Sequence, residues 1–262
     1  MGNRVITLLT DFGTQDHYVA SMKGVILGIN PRCTIVDISH QVRPHDIQGA
    51  AFLLGNAFGS FPKGTIHVAV VDPGVGGPRK PILIVTTRYY FVGPDNGLFT
   101  LTLLQDRVRL AVGLTCRKYF LPRIRSTFHG RDVFAPVAAH LSKGVRPLAF
   151  GQKIDTWETL NVSGPKRKGR VLQGEIIHID VFGNLISNIS EASLSEFSGA
   201  PSSIRIGKRV IDGLKKAYCE AKRGEVMALI GSGGFLEVSA REGSARKELG
   251  VKRGDKIEIG AF

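Results

Sequence analysis

The residues best placed to do chemistry lie between His67 and Ile82, in the run HVAVVDPGVGGPRKPI. An apolar run ends on Asp72, a Gly- and Pro-rich turn follows, and Arg79-Lys80 leads into a second apolar run, Ile82 to Val85. Two buried strands joined this way hold a carboxylate at a strand end with a guanidinium close by. Pro73 and the glycines let the backbone turn tightly and leave space for a ligand. The simpler reading of such a pair is a solvated ion pair on a surface turn. Asp11 also falls at a strand end, where open α/β sheets bind ligands. Asp37 fits the same position, or equally a carboxylate hydrogen-bonded to loop amides. His129 sits in a glycine-bearing turn before a helix, and its imidazole suits acid–base work near neutral pH.

Other chemistries find less support. Asp11, Asp16, His17, His40, His45, Asp72, His129 and Asp132 could be gathered into a metal site, but none shows a ligand spacing such as HExxH. No GxGxxG opens a helix after a strand. Gly74, Gly76 and Gly77 have the wrong spacing for a phosphate loop and lack the Lys-Ser/Thr pair. GSGGF at 231–235 is too generic to assign by itself.

The elements that must position these groups alternate in the first part of the chain. Val5 to Leu9 reads as a strand ending at TDFG. A helix with Val19, Met22, Ile26 and Leu27 near helical spacing follows and is stopped by Asn30-Pro31. Thr34 to Ile38 is a second strand. Asp46 opens a helix as a first-turn or capping acid, with Ile47, Ala50, Ala51, Leu54 and Phe58 on one face. Ile66 to Val71, Ile82 to Thr87 and Tyr89 to Val92 are further strands, so the spacing predicts a layered α/β sheet. Ser126 to Asp132 opens a helical segment through Leu141, where Pro136 predicts a kink or a later start. Residues 161–170, NVSGPKRKGR, read as a linker. Beyond them come short strands split by glycine turns, Val171 to Asp180, Ile204 to Ile206, Val226 to Ile230, Phe235 to Val238 and Ile257 to Ile259, with one helix near Ser244 to Leu249. That texture predicts a small antiparallel barrel or sandwich.

Composition sets outer bounds. The chain has 262 residues, 43% hydrophobic and 22% charged, which suits one large or two modest domains. No run reaches the length of a membrane span, and MGNRVITLLTDFG lacks a signal-peptide pattern. Cys33, Cys116 and Cys219 form no metal-ligand spacing or disulfide framework, so the cytoplasm is the expected compartment. The formal charge of +13 invites a polyanionic partner. The basic residues are nevertheless scattered in sequence, without an aromatic–basic recognition pattern, and this argues against a nucleic-acid partner.

Six ordered motifs carry a resemblance: TDFGTQD (10–16), VVDPGVGGPRK (70–80), GPDNGL (93–98), TFHGRD (127–132), IDVFGNLISNI (179–189) and GSGGFLEVS (231–239). Together they resemble the S-adenosylmethionine (SAM) hydrolase family, also called the SAM hydroxide adenosyltransferases, relatives of the fluorinases and chlorinases. The resemblance implies an N-terminal three-layer α/β/α domain over 1–160, a linker at 161–170, and a smaller C-terminal antiparallel β-barrel domain over 171–262. It implies a homotrimer in which each ligand lies between the N-domain of one subunit and the C-domain of the next. The implied reaction is hydrolysis of SAM to adenosine and methionine, with no metal or other cofactor. Carried over by motif, Asp72, Arg79 and His129 form the catalytic trio, and Asp11 grips the ribose diol, where two hydroxyls facing one carboxylate make charge-assisted hydrogen bonds. Asp16 belongs to the substrate-binding set. Asp180 matches the partner of the methionine ammonium, and Asn184 reads the adenine edge, since an amide both donates and accepts. Ser232 falls where the methionine carboxylate binds, and Glu237 and the backbone from Ala240 to Glu242 line the same end. His45 stands where the fluorinating relatives carry an aromatic residue, and Ala240-Arg241-Glu242 departs from the usual sequence. Two alternatives stay open: a SAM-dependent 5′-halogenase, a class that lacks this polar trio, and a nucleoside- or nucleic-acid-binding module without catalysis.

Overall fold

A computed structural model describes residues 4–197 and 203–260. The chain divides into two compact units, residues 1–160 and 161–262.

In the first unit, strands rich in β-branched residues alternate with helices: β1 (Val5–Thr10), α1 (Tyr18–Ile29), β2 (Thr34–Ser39), α2 (Ile47–Ala57), β3 (Ile66–Val70), β4 (Pro81–Thr86), β5 (Tyr90–Pro94), α3 (Thr100–Leu103), β6 (Val108–Leu114), α4 (Ala135–Ser142) and β7 (Gly151–Ile154). They form one sheet in the order β2-β1-β3-β5-β4-β6-β7. The pairs β1–β2, β1–β3 and β3–β5 are parallel, and those from β5 to β7 are antiparallel. Every residue of β3 is buried, as expected for a parallel strand covered on both faces. Alternation along the strands sends Ile6, Leu8 and Val68 to a core shared with Met22 and Ile26 of α1 and Val137 and Leu141 of α4. Leu9, Ala69 and Ile82 face the opposite core, with Ala50 and Leu54 of α2 and the adjoining Phe58. The unit is therefore a three-layer α/β/α stack. Each fully buried Leu or Phe contributes about 1.5–3 kcal/mol.

Local chemistry sets the helix ends. Asp46 caps α2, its carboxylate accepting from Gly49 N at 2.9 Å. The segment after His129 opens with one wide π turn, Gly130–Phe134, before the regular helix starts at Ala135. Pro136 thus sits in the first turn of α4, where its missing N–H costs nothing, and the start is later instead of kinked.

The second unit contains β8 (Lys166–Lys168), β9 (Val171–Ile179), β10 (Leu185–Ser190), α5 (Glu191–Glu196), β11 (Ser203–Ile206), β12 (Arg209–Asp212), β13 (Val226–Ile230), β14 (Phe235–Ala240), α6 (Ala245–Leu249) and β15 (Lys256–Gly260). The order β12-β11-β15-β9-β10-β14-β13 is antiparallel throughout, and β12 and β13 approach each other, so the sheet curls nearly shut into a barrel. Its core includes Leu172, Ile176, Leu185, Ile204, Leu236 and Ile257. The polar stretch 161–170 is more than a connector. Lys166–Lys168 pair with Val171–Gln173, where an outer position lets three exposed basic side chains stay in water. Ser244 caps α6, which ends at Gly250 in the left-handed conformation (φ 63°).

Candidate active site

In β1 and β3 Thr10 lies opposite Val70, so the parallel neighbours finish at one sheet edge and set Asp11 and Asp72 just beyond it. The Asp72–Lys80 loop is braced at both ends: Asn96 Nδ2 donates to Val71 O at 2.9 Å, and Asp95 N to Lys80 O at 2.9 Å. At its tip Gly76 has φ 77°, and a Cβ there would stand 2.4 Å from Ser126 O. This loop thus packs, backbone to backbone, on the loop that carries His129, and only glycine fits the contact.

Arg79 joins the three polar groups. Its Nε donates to Asp72 Oδ1 at 2.9 Å and its Nη2 to Asp72 Oδ2, a two-pronged pair. Nη2 also lies 2.9 Å from His129 Nδ1. The Asp72 and Arg79 side chains are 5% and 10% exposed, so the pair is not the solvated surface bridge of the simpler reading. The guanidinium also lies 5.5 Å over the Phe134 ring. An arginine only donates, so Nδ1 of His129 must accept, and in the neutral ring the proton sits on Nε2. Burial, then the Arg79 charge, pushes the His129 pKa below its usual value, against smaller upward pulls from Asp72 and Asp132. The array therefore presents an N–H on the free edge of the imidazole at neutral pH.

His129 is held by a residue whose role the sequence did not reveal. Asp132, fully buried, accepts from Arg125 N at 2.7 Å and Arg131 Nε at 2.6 Å, closing the turn around the histidine. A hollow of about 160 Å³ opens beside the trio, lined by Asp72, His129 and Thr127 and by the rings of Phe12, Tyr18 and Phe128. Phe128 meets Phe12 and Tyr18 edge-on at 5.8 and 5.1 Å. Asp11 accepts from His45 N at 2.9 Å, and His45 takes a left-handed backbone (φ 66°) to donate. Asp16 is exposed on the same 11–17 loop and does not line the hollow. Among the described residues no three His, Cys, Asp or Glu side chains converge as a metal cage.

The second unit has its own hollow, about 880 Å³, and Asp180, Asn184, Ser232, Glu237, Ala240 and Glu242 all line it. Asp180 is largely engaged by its own turn, accepting from Phe182 N (3.0 Å), Asn184 N (2.8 Å) and Asn184 Nδ2 (2.9 Å). This fixes the Asn184 amide and leaves its Oδ1 and second N–H for a ligand. Glu237 is 7% exposed and accepts from Tyr218 OH at 2.7 Å and Ser239 Oγ at 2.6 Å. Burial, then Glu237, pushes the Tyr218 pKa up to about 12. Ala240 is buried, so its side chain offers a ligand little. Glu242 (φ 52°) turns outward to Arg223 at 3.1 Å. Tyr218 and Phe182 are among the lining residues that sequence reasoning did not single out. Tyr218 carries no motif in its lysine-rich surroundings. Phe182, 72% exposed beside Val181 at 92%, lies inside the IDVFGNLISNI motif, where only an exposed apolar pair in a turn hints at a ligand contact.

Comparison with known proteins decides the family. The model of the SAM hydroxide adenosyltransferase N-terminal domain matches residues 6–151, and that of the C-terminal domain matches residues 174–258. The chain belongs to the SAM hydroxide adenosyltransferase family. Within it, a protein of Thermus thermophilus named (R)-S-adenosyl-L-methionine hydrolase is 37% identical, covering 98% of this chain and 99% of its own. One of the same name from Methanocaldococcus jannaschii is 39% identical over 97% of this chain and 95% of its own. A fluorinase of Actinoplanes is more distant, 26% identical over 98% of both chains. The crystal structure of an uncharacterized conserved protein from Thermotoga maritima superposes with a TM-score of 0.92 at 37% identity, covering 98% of this chain and 100% of that one. The resemblance read from the six motifs therefore extends over the whole family fold.

Proposed function

We propose that this protein hydrolyses SAM to adenosine and methionine, with Asp72, Arg79 and His129 as the catalytic residues. The observation that carries the reading is the single hydrogen-bonded array these three groups form at the rim of an aromatic hollow. The names of the full-length relatives support it.

The substrate sulfonium is a ready leaving group. The C5′–S bond breaks with its electron pair going to sulfur, methionine departs as a neutral thioether, and an O–C5′ bond forms. No general acid, metal or other cofactor is needed for that departure. The difficulty lies in the nucleophile, because water is weak at neutral pH. Arg79 favours hydroxide electrostatically, and Asp72 fixes the guanidinium. His129 can either hydrogen-bond the water or take its proton. With Nδ1 occupied by Arg79, the neutral ring does the first, pointing Nε2–H at the attacking oxygen, which arrives as hydroxide with its proton left in solvent. The aromatic walls exclude other water, which helps a step in which hydroxide and sulfonium merge their charges.

Asp11 holds the ribose diol. In the second unit Asn184 reads the adenine edge, Phe182 offers a ring face to the base, and Ser232 with Asp180 takes the amino-acid end; Glu237 fixes the wall. The 160 Å³ hollow is smaller than ordinary ligand pockets of ~300–1,000 Å³, whereas the 880 Å³ hollow falls within that range. The small hollow needs a second surface to enclose a nucleoside, and in the homotrimer that the resemblance implies the second unit of the next subunit supplies it. Three free thiols and a substrate made inside cells fit the cytoplasm.

The test is incubation of the purified protein with SAM and chromatography of the nucleosides. Adenosine with equimolar methionine is expected. A 5′-halo-nucleoside formed only with halide would move the protein to the halogenases, and unchanged SAM would leave a binding role. Light scattering showing a stable monomer would overturn the shared site.

A further inference from the structure

Behind the rim that carries Asp11 lies a polar chain that the proposed reaction does not use, running from the buried Thr10 and His40 to Asp37 and Lys23 at the surface. His40, which follows β2, is 4% exposed, and its Nδ1 lies 2.8 Å from Thr10 Oγ1, the last residue of β1. Its Nε2 stands 3.1 Å from Asp37 Oδ1, off the ring axis, and Asp37 Oδ2 accepts from Lys23 of α1 at 2.6 Å. A carboxylate facing Nε2 favours the proton on that nitrogen, so Nδ1 accepts and the Thr10 hydroxyl donates. The same hydroxyl oxygen accepts from Phe12 N at 3.3 Å, and the main-chain carbonyl of His40 accepts from Gly13 N at 2.8 Å. A few residues on, His45 N donates to the Asp11 carboxylate at 2.9 Å.

A hydroxyl, an imidazole and a carboxylate in this order have the layout of a nucleophilic triad. Here they cannot act as one. Thr10 is fully buried and does not line the hollow, so no substrate carbon can reach its oxygen. What the chain can do is hold four consecutive residues. One histidine grips Thr10 with its ring and Gly13 with its carbonyl, and through Thr10 it grips the Phe12 amide. Between those points lie the Asp11 carboxylate and the Phe12 ring, which lines the aromatic hollow. Residues 11–13 run beyond the end of β1, where no ladder bond fixes them.

We infer that His40 is a positioning residue for substrate binding: backed by Asp37 and Lys23, it clamps residues 10–13 so that Asp11 and Phe12 face the ligand in one geometry. This rests on the SAM hydrolase reading, because it takes Asp11 and Phe12 to be ligand contacts. Its effect is on binding rather than bond-breaking, since His40 touches none of the trio.

The test is steady-state SAM hydrolysis by the parent, His40→Ala, His40→Asn and Thr10→Val proteins. His40→Ala should raise KM about tenfold with kcat within about threefold, the penalty of a loosened contact. His40→Asn keeps an acceptor near the position of Nδ1 and should recover most of the loss, which a merely space-filling histidine would not predict. Thr10→Val should raise KM at least as much, and the double change His40→Ala/Thr10→Val should cost no more than Thr10→Val alone, because the His40 ring acts on the segment through that hydroxyl. A fall in kcat at unchanged KM, an Asn variant no better than Ala, or additive effects would overturn the clamp. If the parent fails to consume SAM, the hydrolase reading fails separately. The clamp is then read by hydrogen exchange at the Phe12 amide, which His40→Ala must accelerate about tenfold and His40→Asn must restore; unchanged exchange would overturn it.

Discussion

Arg79 stands between Asp72 and His129, its Nη2 donating to a carboxylate oxygen of one and lying 2.9 Å from Nδ1 of the other. One planar group thus fixes a carboxylate and the tautomer of an imidazole together. A lysine ammonium has the charge but not the fork. Arg79→Lys should therefore lower kcat on the order of 10²-fold with a small change in KM, against 10²- to 10⁴-fold for removal of a member of the array. Single-turnover measurement at saturating SAM checks this, and near-parental kcat in the lysine variant would mean that charge alone suffices.

Substitution distinguishes a hydrogen-bond donor from a general base at His129. Burial and Arg79 hold its pKa below the usual histidine value. Either role needs the uncharged ring, so kcat falls with acid in both cases, and the fall lies below the ordinary histidine pKa. His129→Gln, which restores an amide N–H near the Nε2 position, should retain more activity than His129→Ala. Profiles of kcat for the three proteins from pH 5 to 9 test this; equal losses in Gln and Ala would remove the donor role.

Gly76 couples the two loops that carry the array. A Cβ there would lie 2.4 Å from Ser126 O, on a backbone at φ 77°. Gly76→Ala should destabilise the protein by about 1–3 kcal/mol and lower kcat more than KM, because the shift separates Asp72 and Arg79 from His129. Denaturant unfolding and steady-state kinetics check both parts.

Much of this site is legible in the amino-acid sequence, for a physical reason. Asp72 and Arg79 flank a turn between two apolar runs, and such a turn holds its ends together whatever surrounds it. The barrel is legible from glycine-split strands. β6 escapes notice because Arg107 and Arg109 interrupt its apolar pattern, although Leu110, Val112 and Leu114 are on one core face. The roles of Asp132 and Tyr218 are hidden for a different reason. Each acts through a partner reached only after folding, Arg125 N across a turn and Glu237 from outside the strand that carries it. The direction of the His129 proton likewise depends on where folding places the Arg79 donor.

The Asn184 amide tests the second hollow apart from the chemistry. Its Nδ2 donates to Asp180 Oδ2 at 2.9 Å, so its remaining donor and acceptor point where a base edge can meet them. Asn184→Ala should weaken adenosine binding about tenfold, the value of one or two hydrogen bonds, and raise KM for SAM alike with kcat nearly unchanged. Calorimetry with adenosine checks the first part. Unchanged adenosine affinity would mean that the base lies elsewhere.

The buried His67 predicts how stability answers to acid. Its ring stacks on Phe91 at 5.3 Å, with Phe58, Phe61 and Tyr89 around it, and Nδ1 meets the Thr7 hydroxyl at 2.7 Å. Burial lowers its pKa from the ordinary 6.5 of a solvated histidine to about 3. Between those values the unfolded chain binds a proton that the folded chain refuses, so stability falls as pH drops through that window. The slope reaches about 1.4 kcal/mol per pH unit, or about 3 kcal/mol by pH 4. His67→Gln cannot titrate there. It will be less stable at pH 7, where it disturbs a packed aromatic site, but should lose less with acid. Urea unfolding of both proteins at pH 7, 6, 5 and 4 measures the difference in slope, which cancels every titrating group the two share. Parallel lines would mean that the folded protein admits the proton at His67 after all.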